Sequence, residues 1–270
     1  TLTVNREVKL QNNVTLSSTT GNINVSNNID ADNNVFTVDG GGTFNLNGNI
    51  TSNDQALKIK TNLVLTNNAI LNTGTGDITL SKNVDLTDYT LDFVGTGKLY
   101  LGGNVSSNNK AFVVNRDLEL TDNSLINTGT ADISLKNVDM KTNSLSFGGS
   151  GNLYLGGDIT SNDTALDIAR NVKLNANSSI NTGSAYIAAS SIDMGDYTLD
   201  ILGAGVFKLA GDITSNNKTL TLARAVELAG NSSINTGTAD IEFTNPVTMT
   251  THNLTISGAG NLTLGADINA

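Results

Sequence analysis

The sequence predicts an all-β chain wound as a parallel β-helix, or β-solenoid. Three observations predict it. Apolar residues recur two apart with polar residues between them, in runs too short and dense for ordinary hairpins. Five copies of a unit of about 54 residues fill the chain, the last one truncated. Turn-forming residues are abundant: 40 Asn and 27 Gly stand among 270 residues, against a single Pro. That mixture suits many short strands joined by tight corners.

The elements follow one another through one copy. Ile78 and Leu80 flank Thr79, and Val84 and Leu86 flank Asp85. Leu91/Phe93, Leu99/Leu101, Phe112/Val114 and Leu118/Leu120 continue the pattern, with Asp92, Tyr100 and Glu119 inside three of these pairs. Alternation puts one set of side chains on one face of a strand. Val105 and Ile126 mark two shorter elements, so that an element begins about every seven residues. The helical spacing of i, i+3, i+4 is sustained nowhere. A single coil of such strands leaves its apolar face bare, so coils must stack to bury it.

The copies are read from two markers. Ile70-Leu71-Asn72-Thr73-Gly74 returns with glycines at Gly129, Gly183 and Gly237, a step of about 54 residues each time. A degenerate form, Thr19-Thr20-Gly21, precedes Gly74 by a like step. The second marker, Leu101-Gly102-Gly103-Asn104-Val105, returns at 155–159, 209–213 and 264–268, with its earliest form at 46–50. A polar tetrad follows it at 51–54, 106–109, 160–163 and 214–217. The copies span about 1–55, 56–110, 111–164, 165–218 and 219–270, with no linker between them, which predicts one continuous solenoid segment.

Coil length follows from an internal match. Gly74-Thr75-Gly76-Asp77-Ile78-Thr79-Leu80 resembles Gly95-Thr96-Gly97-Lys98-Leu99-Tyr100-Leu101. The two starting points set a coil of about 21 residues, or three elements of about seven. A copy is not a whole number of such coils. Either coils are shorter, about 18 residues with three to a copy, or successive copies are offset around the axis. Both alternatives give roughly 13 to 15 coils, a rod of roughly 60–70 Å at the strand spacing.

The paired small residues at 102/103, 156/157 and 210/211 read as corners, where positive φ or close backbone approach favours Gly. Asn72, Asn127, Asn181 and Asn235 read as corner residues that tolerate left-handed backbone and hydrogen-bond their own chain. Pro246 replaces Asn83 and Asn137 at a corner, where a lost donor is tolerated.

Composition excludes several functions. There is no Cys, hence no disulfide scaffold, thiolate metal site or thiol chemistry. With 15 basic and 25 acidic residues the formal charge is −10, which disfavours phosphate backbones and anionic membranes. No apolar run approaches the ~18–20 residues that span a bilayer. The chain opens at Thr1 without a signal peptide, as expected of a segment of a longer protein.

Chemistry-bearing motifs are sparse. His252, the single histidine, occupies an exposed-turn position equivalent to Asp88-Tyr89 and Asp196-Tyr197, so no triad or metal site is built on it. A glycosidase needs a carboxyl pair in a cleft, but the acids follow the repeat, as in Asp85, Asp139 and Asp193 or Asp77, Asp132 and Asp240. Gly148-Gly149-Ser150-Gly151 continues into Asn152-Leu153 and misses the calcium-roll aspartate. The threonine pairs at 1/3, 219/221 and 248/250 are not kept up as an ice-binding row. Arg6, Arg116, Arg170 and Arg224 recur once per copy and are expected to pair with nearby acids. No catalytic, cofactor-binding or metal residue is assigned, and no enzyme is expected.

The runs 95–107 and 257–268 resemble the repeat regions of filamentous haemagglutinin-like exoproteins and autotransporter passenger domains of bacteria. The resemblance covers the whole chain. It implies a right-handed β-helix, export through an outer-membrane pore and a place at the cell surface or outside the cell. The expected role is the structural shaft of a surface or secreted fibre or adhesin, with weak multivalent adhesion through the polar tetrads or strand faces. Expected partners are further coils of the same chain, or end-to-end or lateral copies in a filament, with host-cell or glycan surfaces besides. Nucleic acid and membrane insertion are not expected. The alternative is a carbohydrate-active β-helix enzyme acting on polysaccharide, which would need an acid cluster beside a groove.

Overall fold

A computed structural model describes residues 1–269. It is all-β: forty short strands, three to a turn, wind through about 13 turns of a parallel β-solenoid. No helix occurs among the described residues. The chain divides into two compact units, Thr1–Lys136 and a second beginning at Asn137, each holding twenty strands.

In the first unit the strands form three stacks. One runs from Leu2–Val4 through Ile23–Val25 and Thr43–Leu46 to Ser124–Asn127. The second starts at Val8–Lys9, Ile29–Asp30 and Ile50–Thr51, and the third runs from Val14–Ser18 to Leu118–Leu120. The second unit has the same arrangement, its stacks starting at Val138–Asp139, Leu145–Gly148 and Leu153–Leu155.

Alternation explains the core. Strand Ile78–Leu80 buries both its ends and half-exposes Thr79 between them. Phe36, Phe44, Phe112, Phe207 and Phe243 are all at most 1 % exposed. Phe93 meets Phe112 edge to face, with ring centroids 5.9 Å apart. Each such side chain contributes ~1.5–3 kcal/mol by leaving water, and stacking sets the next inward residue directly above it.

The internal match does mark one turn. Ile78, Thr79 and Leu80 lie in register with Leu99, Tyr100 and Leu101. Turns vary a little in length: Phe44 pairs with Leu63 across a short one, and Ala69 with Leu91 across a long one. Of the two alternatives for fitting turns into copies, the offset is realised. Strand Ala69–Asn72 and its homologue Ser124–Asn127 are eight strands apart. Eight strands at three per turn make two and two-thirds turns, so each copy starts one face round from the last. Within the first unit, Val14–Ser18, Ala69–Asn72 and Ser124–Asn127 accordingly lie in three different sheets. In the second unit, Ser178–Asn181 and Ser232–Asn235 lie in two.

The Asn content has a structural cause. At corners the backbone N–H loses its strand partner, and an Asx oxygen one turn earlier accepts it. Asn28 Oδ1 takes the N–H of Asn49 at 2.9 Å, and Asn83 and Asn104 take those of Asn104 and Leu125, each at 2.9 Å. In the second unit Asp158 and Asp212 brace Ser179 at 2.7 Å and Ser233 at 2.8 Å. Pro246, exposed at the equivalent corner, has no such side chain; its carbonyl accepts the N–H of Val226 at 2.9 Å.

Candidate functional site

The polar tetrads are the first candidate surface. The second and fourth side chains of each are already committed to the corner, while the first and third are exposed. Ser52, Ser107, Ser161 and Ser215 close the corner by donating to the carbonyls of Gln55, Lys110, Thr164 and Lys218 at 2.6–2.8 Å. The third residues, Asn53, Asn108, Asn162 and Asn216, donate their N–H groups to carbonyls of the preceding turn at 2.6–2.7 Å. The fourth residues carry the left-handed backbone: Asp54 (φ 60), Asn109 (φ 59), Asp163 (φ 56) and Asn217 (φ 58). Their Oδ1 atoms accept the N–H groups of Thr75, Thr130, Ser184 and Thr238, one turn on, at 2.7–2.8 Å. The N–H of Thr75, and after it the Thr75 hydroxyl, hold the Asp54 carboxyl below its ordinary range; Ser184 does the same for Asp163.

This corrects the expectation for Asn72, Asn127, Asn181 and Asn235. These residues end strands and do accept from their own chain, at the N–H of the glycine two residues on. The left-handed turn lies elsewhere, at the tetrads and at the glycine of the Asn-Thr-Gly corner. Gly74 has φ +56, and a Cβ there would collide with Asp54 Oδ1. The small-residue pairs are not left-handed either. At Gly103 the reason is close approach, since a Cβ would stand 2.6 Å from the nitrogen of Asn83.

Two equivalent grooves form the second candidate. A groove of about 520 Å³ crosses the two-residue strands Val8–Lys9, Ile29–Asp30 and Ile50–Thr51. Their outward residues Lys9, Asp30 and Thr51 stand in register, with Lys9 Nζ 3.6 Å from Asp30. In the second unit a groove of about 230 Å³ is lined by Lys173, Asp193 and Thr214, also in register. Lys9 and Lys173 lie three copies apart along the chain. The other copies break the pattern: Val64/Asp85/Ser106, Glu119/Asp139/Thr160 and Glu227/Thr248/Asn269. Sequence reasoning aligned the chain by copies and missed these rows. Aligning it by turns, with Val8-Lys9 above Ile29-Asp30 above Ile50-Thr51, brings them out.

The arginines of the later copies lie inside the solenoid, not on its surface. Arg116, Arg170 and Arg224 are at most 2 % exposed, with Asp77 acting on the Arg116 charge, whereas Arg6 is exposed. Both terminal nitrogens of Arg116 donate to Thr73 Oγ1 at 3.2 Å, and Nη2 also reaches the carbonyl of Val94 at 3.3 Å. Thr73 lies two turns back, and its own hydroxyl donates to the carbonyl of Gly76 at 2.6 Å. Arg224 Nη2 donates to Thr182 Oγ1 at 3.0 Å and to the carbonyl of Gly183 at 2.8 Å. Arg170 Nε donates to the carbonyl of Gly148 at 2.9 Å. In the second copy Thr61 takes the arginine's place, buried and bonded to the carbonyl of Gly42. Each arginine thus pins an Asn-Thr-Gly or glycine corner of an earlier turn.

His252 is half-buried in a tight turn, its N–H bonded to the carbonyl of Met249 at 3.0 Å. Among the described residues no three His, Asp or Glu side chains gather as a metal site. Compared with family models, with curated proteins and with solved structures, the chain gives no match.

Proposed function

We propose that this chain is the structural shaft of a bacterial cell-surface or secreted fibre, and that its surface contacts are weak and multivalent. One observation carries the reading: two of the four side chains in each polar tetrad are spent on holding the corners together. Asp54, Asn109, Asp163 and Asn217 each give their Oδ1 to a backbone N–H. A chain so built favours stiffness over recognition. The likeness of its repeats to those of large bacterial exoproteins supports the same role. The paired Lys–Asp–Thr grooves and the exposed residues of the tetrads are the contact points left open, and a weak contact repeated along a fibre gains by avidity.

The test presents the purified chain to host cells and a glycan panel, once as free monomer and once crowded on beads. The expected result is binding by the beads only, reduced when Lys9 and Lys173 are both changed to Ala. Saturable binding by the monomer at nanomolar concentration would make the chain a receptor-binding adhesin. Cleavage of any polysaccharide on the panel would make it an enzyme. Either result overturns the shaft reading.

A further inference from the structure

We propose that Asn47 is a self-modification site, converted in the folded chain to aspartate and isoaspartate with Asn67 as the catalytic group. The inference stands apart from the shaft reading and rests on one corner of the first unit. Asn47 is the only asparagine of the chain that precedes a glycine. Lacking a side chain, Gly48 puts no bulk in the way as its nitrogen turns back on the Asn47 amide. The fold fixes that glycine, because a Cβ on it would stand 2.6 Å from the carbonyl carbon of Asn27.

The atoms that must react are at liberty, and those that must stay are held. The Gly48 N–H has no hydrogen-bond partner among the described residues. The Asn47 side chain is exposed, and its Nδ2, the leaving group, donates to nothing among the described residues. The backbone N–H of Asn47 is bonded to the carbonyl of Val25 at 2.9 Å, which keeps the residue in place. Asn47 Oδ1, where negative charge develops, accepts from Asn67 Nδ2 at 3.2 Å. A donor already aimed at such an oxygen lowers the barrier. Asn67 is aimed by its neighbour: its own Oδ1 accepts the N–H of Asn68 at 2.9 Å, which turns the NH2 group toward Asn47.

Gly48 N gives its proton to hydroxide and bonds to Asn47 Cγ. The Cγ–Nδ2 bond breaks, and the nitrogen takes a proton from water and leaves as ammonia. Water then opens the cyclic imide at one carbonyl or the other, giving aspartate or isoaspartate. The pair is peculiar to these turns. The position of Asn47 is Gly102, Gly156 and Ala210 in later copies, and that of Asn67 is Asp122, Ala176 and Gly230. Those residues supply substitutions that the fold already accepts.

The purified chain is kept in mildly alkaline buffer, folded or unfolded in urea, and peptide mapping by mass spectrometry follows each asparagine. In the folded chain Asn47 should convert ahead of every other asparagine, and faster as pH rises. Asn67→Ala should slow it roughly three- to tenfold, the rate equivalent of one hydrogen bond, and only in the folded chain. Asn67→Asp sets an acceptor against the developing charge and should slow it at least as much. Asn47→Gly should abolish the signal. A folded chain in which Asn47 stays intact, or in which another asparagine converts as fast, overturns the proposal. So do Asn67 variants that leave the rate unchanged, or that change folded and unfolded chains alike. Should one Asn67 variant fail to fold, the other carries the comparison.

Discussion

Thr73 shows how one side chain is made to serve two turns. Its hydroxyl donates to the carbonyl of Gly76, closing its own corner, and accepts from both terminal nitrogens of Arg116. Thr73→Val keeps shape and volume but removes both functions. The Arg116 charge then stays buried with Nη1 unanswered, so the variant should lose ~2–4 kcal/mol. Arg116→Met should cost less, because it removes the charge together with its need for partners and refills the space with apolar atoms. Urea unfolding of the two variants decides the point. If the methionine variant is the less stable one, the guanidinium is a net source of stability, not a demanding guest of the corner.

At the scale of strands and corners, the Asx braces tie turn to turn, and two of them are titratable. Asp54 and Asp163 have carboxyls held below the ordinary value of 3.8 by the donors of Thr75 and Ser184. The carboxylate is the form that the folded corner prefers. The stability from these braces is therefore complete above the ordinary value and is lost as pH falls through the lowered one. The equivalent corners carry Asn109 and Asn217, which make the same brace to Thr130 and Thr238 without titrating. The double variant Asp54→Asn/Asp163→Asn should fold normally at pH 7 and lose less stability than the parent on acidification from about pH 4 to about pH 2. Thermal midpoints across that range measure it, and parallel curves would show that the lowered carboxyls play no part. Such corners also mark the limit of what the sequence reveals. Strand pairs such as Ile78/Leu80 and Leu99/Leu101 were legible, because alternation is a local signal and the match between them is one turn. The hydrogen-bond partner of Arg116 was not legible, because Thr73 lies two turns earlier, a distance that matches neither the turn nor the copy. The tetrads read as a polar surface, since composition does not tell an oxygen that faces water from one that accepts a backbone N–H.

For the molecule as a whole, the copy and the turn are different units, and the difference can be tested by deletion. A copy is eight strands, a turn three. Removing residues 165–218 takes out a whole copy and joins each remaining strand to homologous neighbours. Every pin and brace keeps its spacing, although the outward side chains that follow move round by one face. Removing residues 187–206 takes out three strands, one turn, joining Tyr186 to Phe207. Stacking order survives this cut, but Arg224 now stands one turn from Thr182 rather than two and meets the wrong corner. In a solenoid, stability is a sum of each unit and its contacts with neighbours. The larger deletion should therefore keep the urea midpoint and the β-sheet circular dichroism of the parent, with a shallower slope from the smaller buried surface. The smaller deletion should lower the midpoint although it removes fewer residues. Equal midpoints would mean that strand stacking alone carries the fold and that the arginine pins contribute nothing. A lower midpoint for the one-turn cut makes the eight-strand copy the unit that must be added or lost whole, which is why every marker in the chain keeps the interval of a copy.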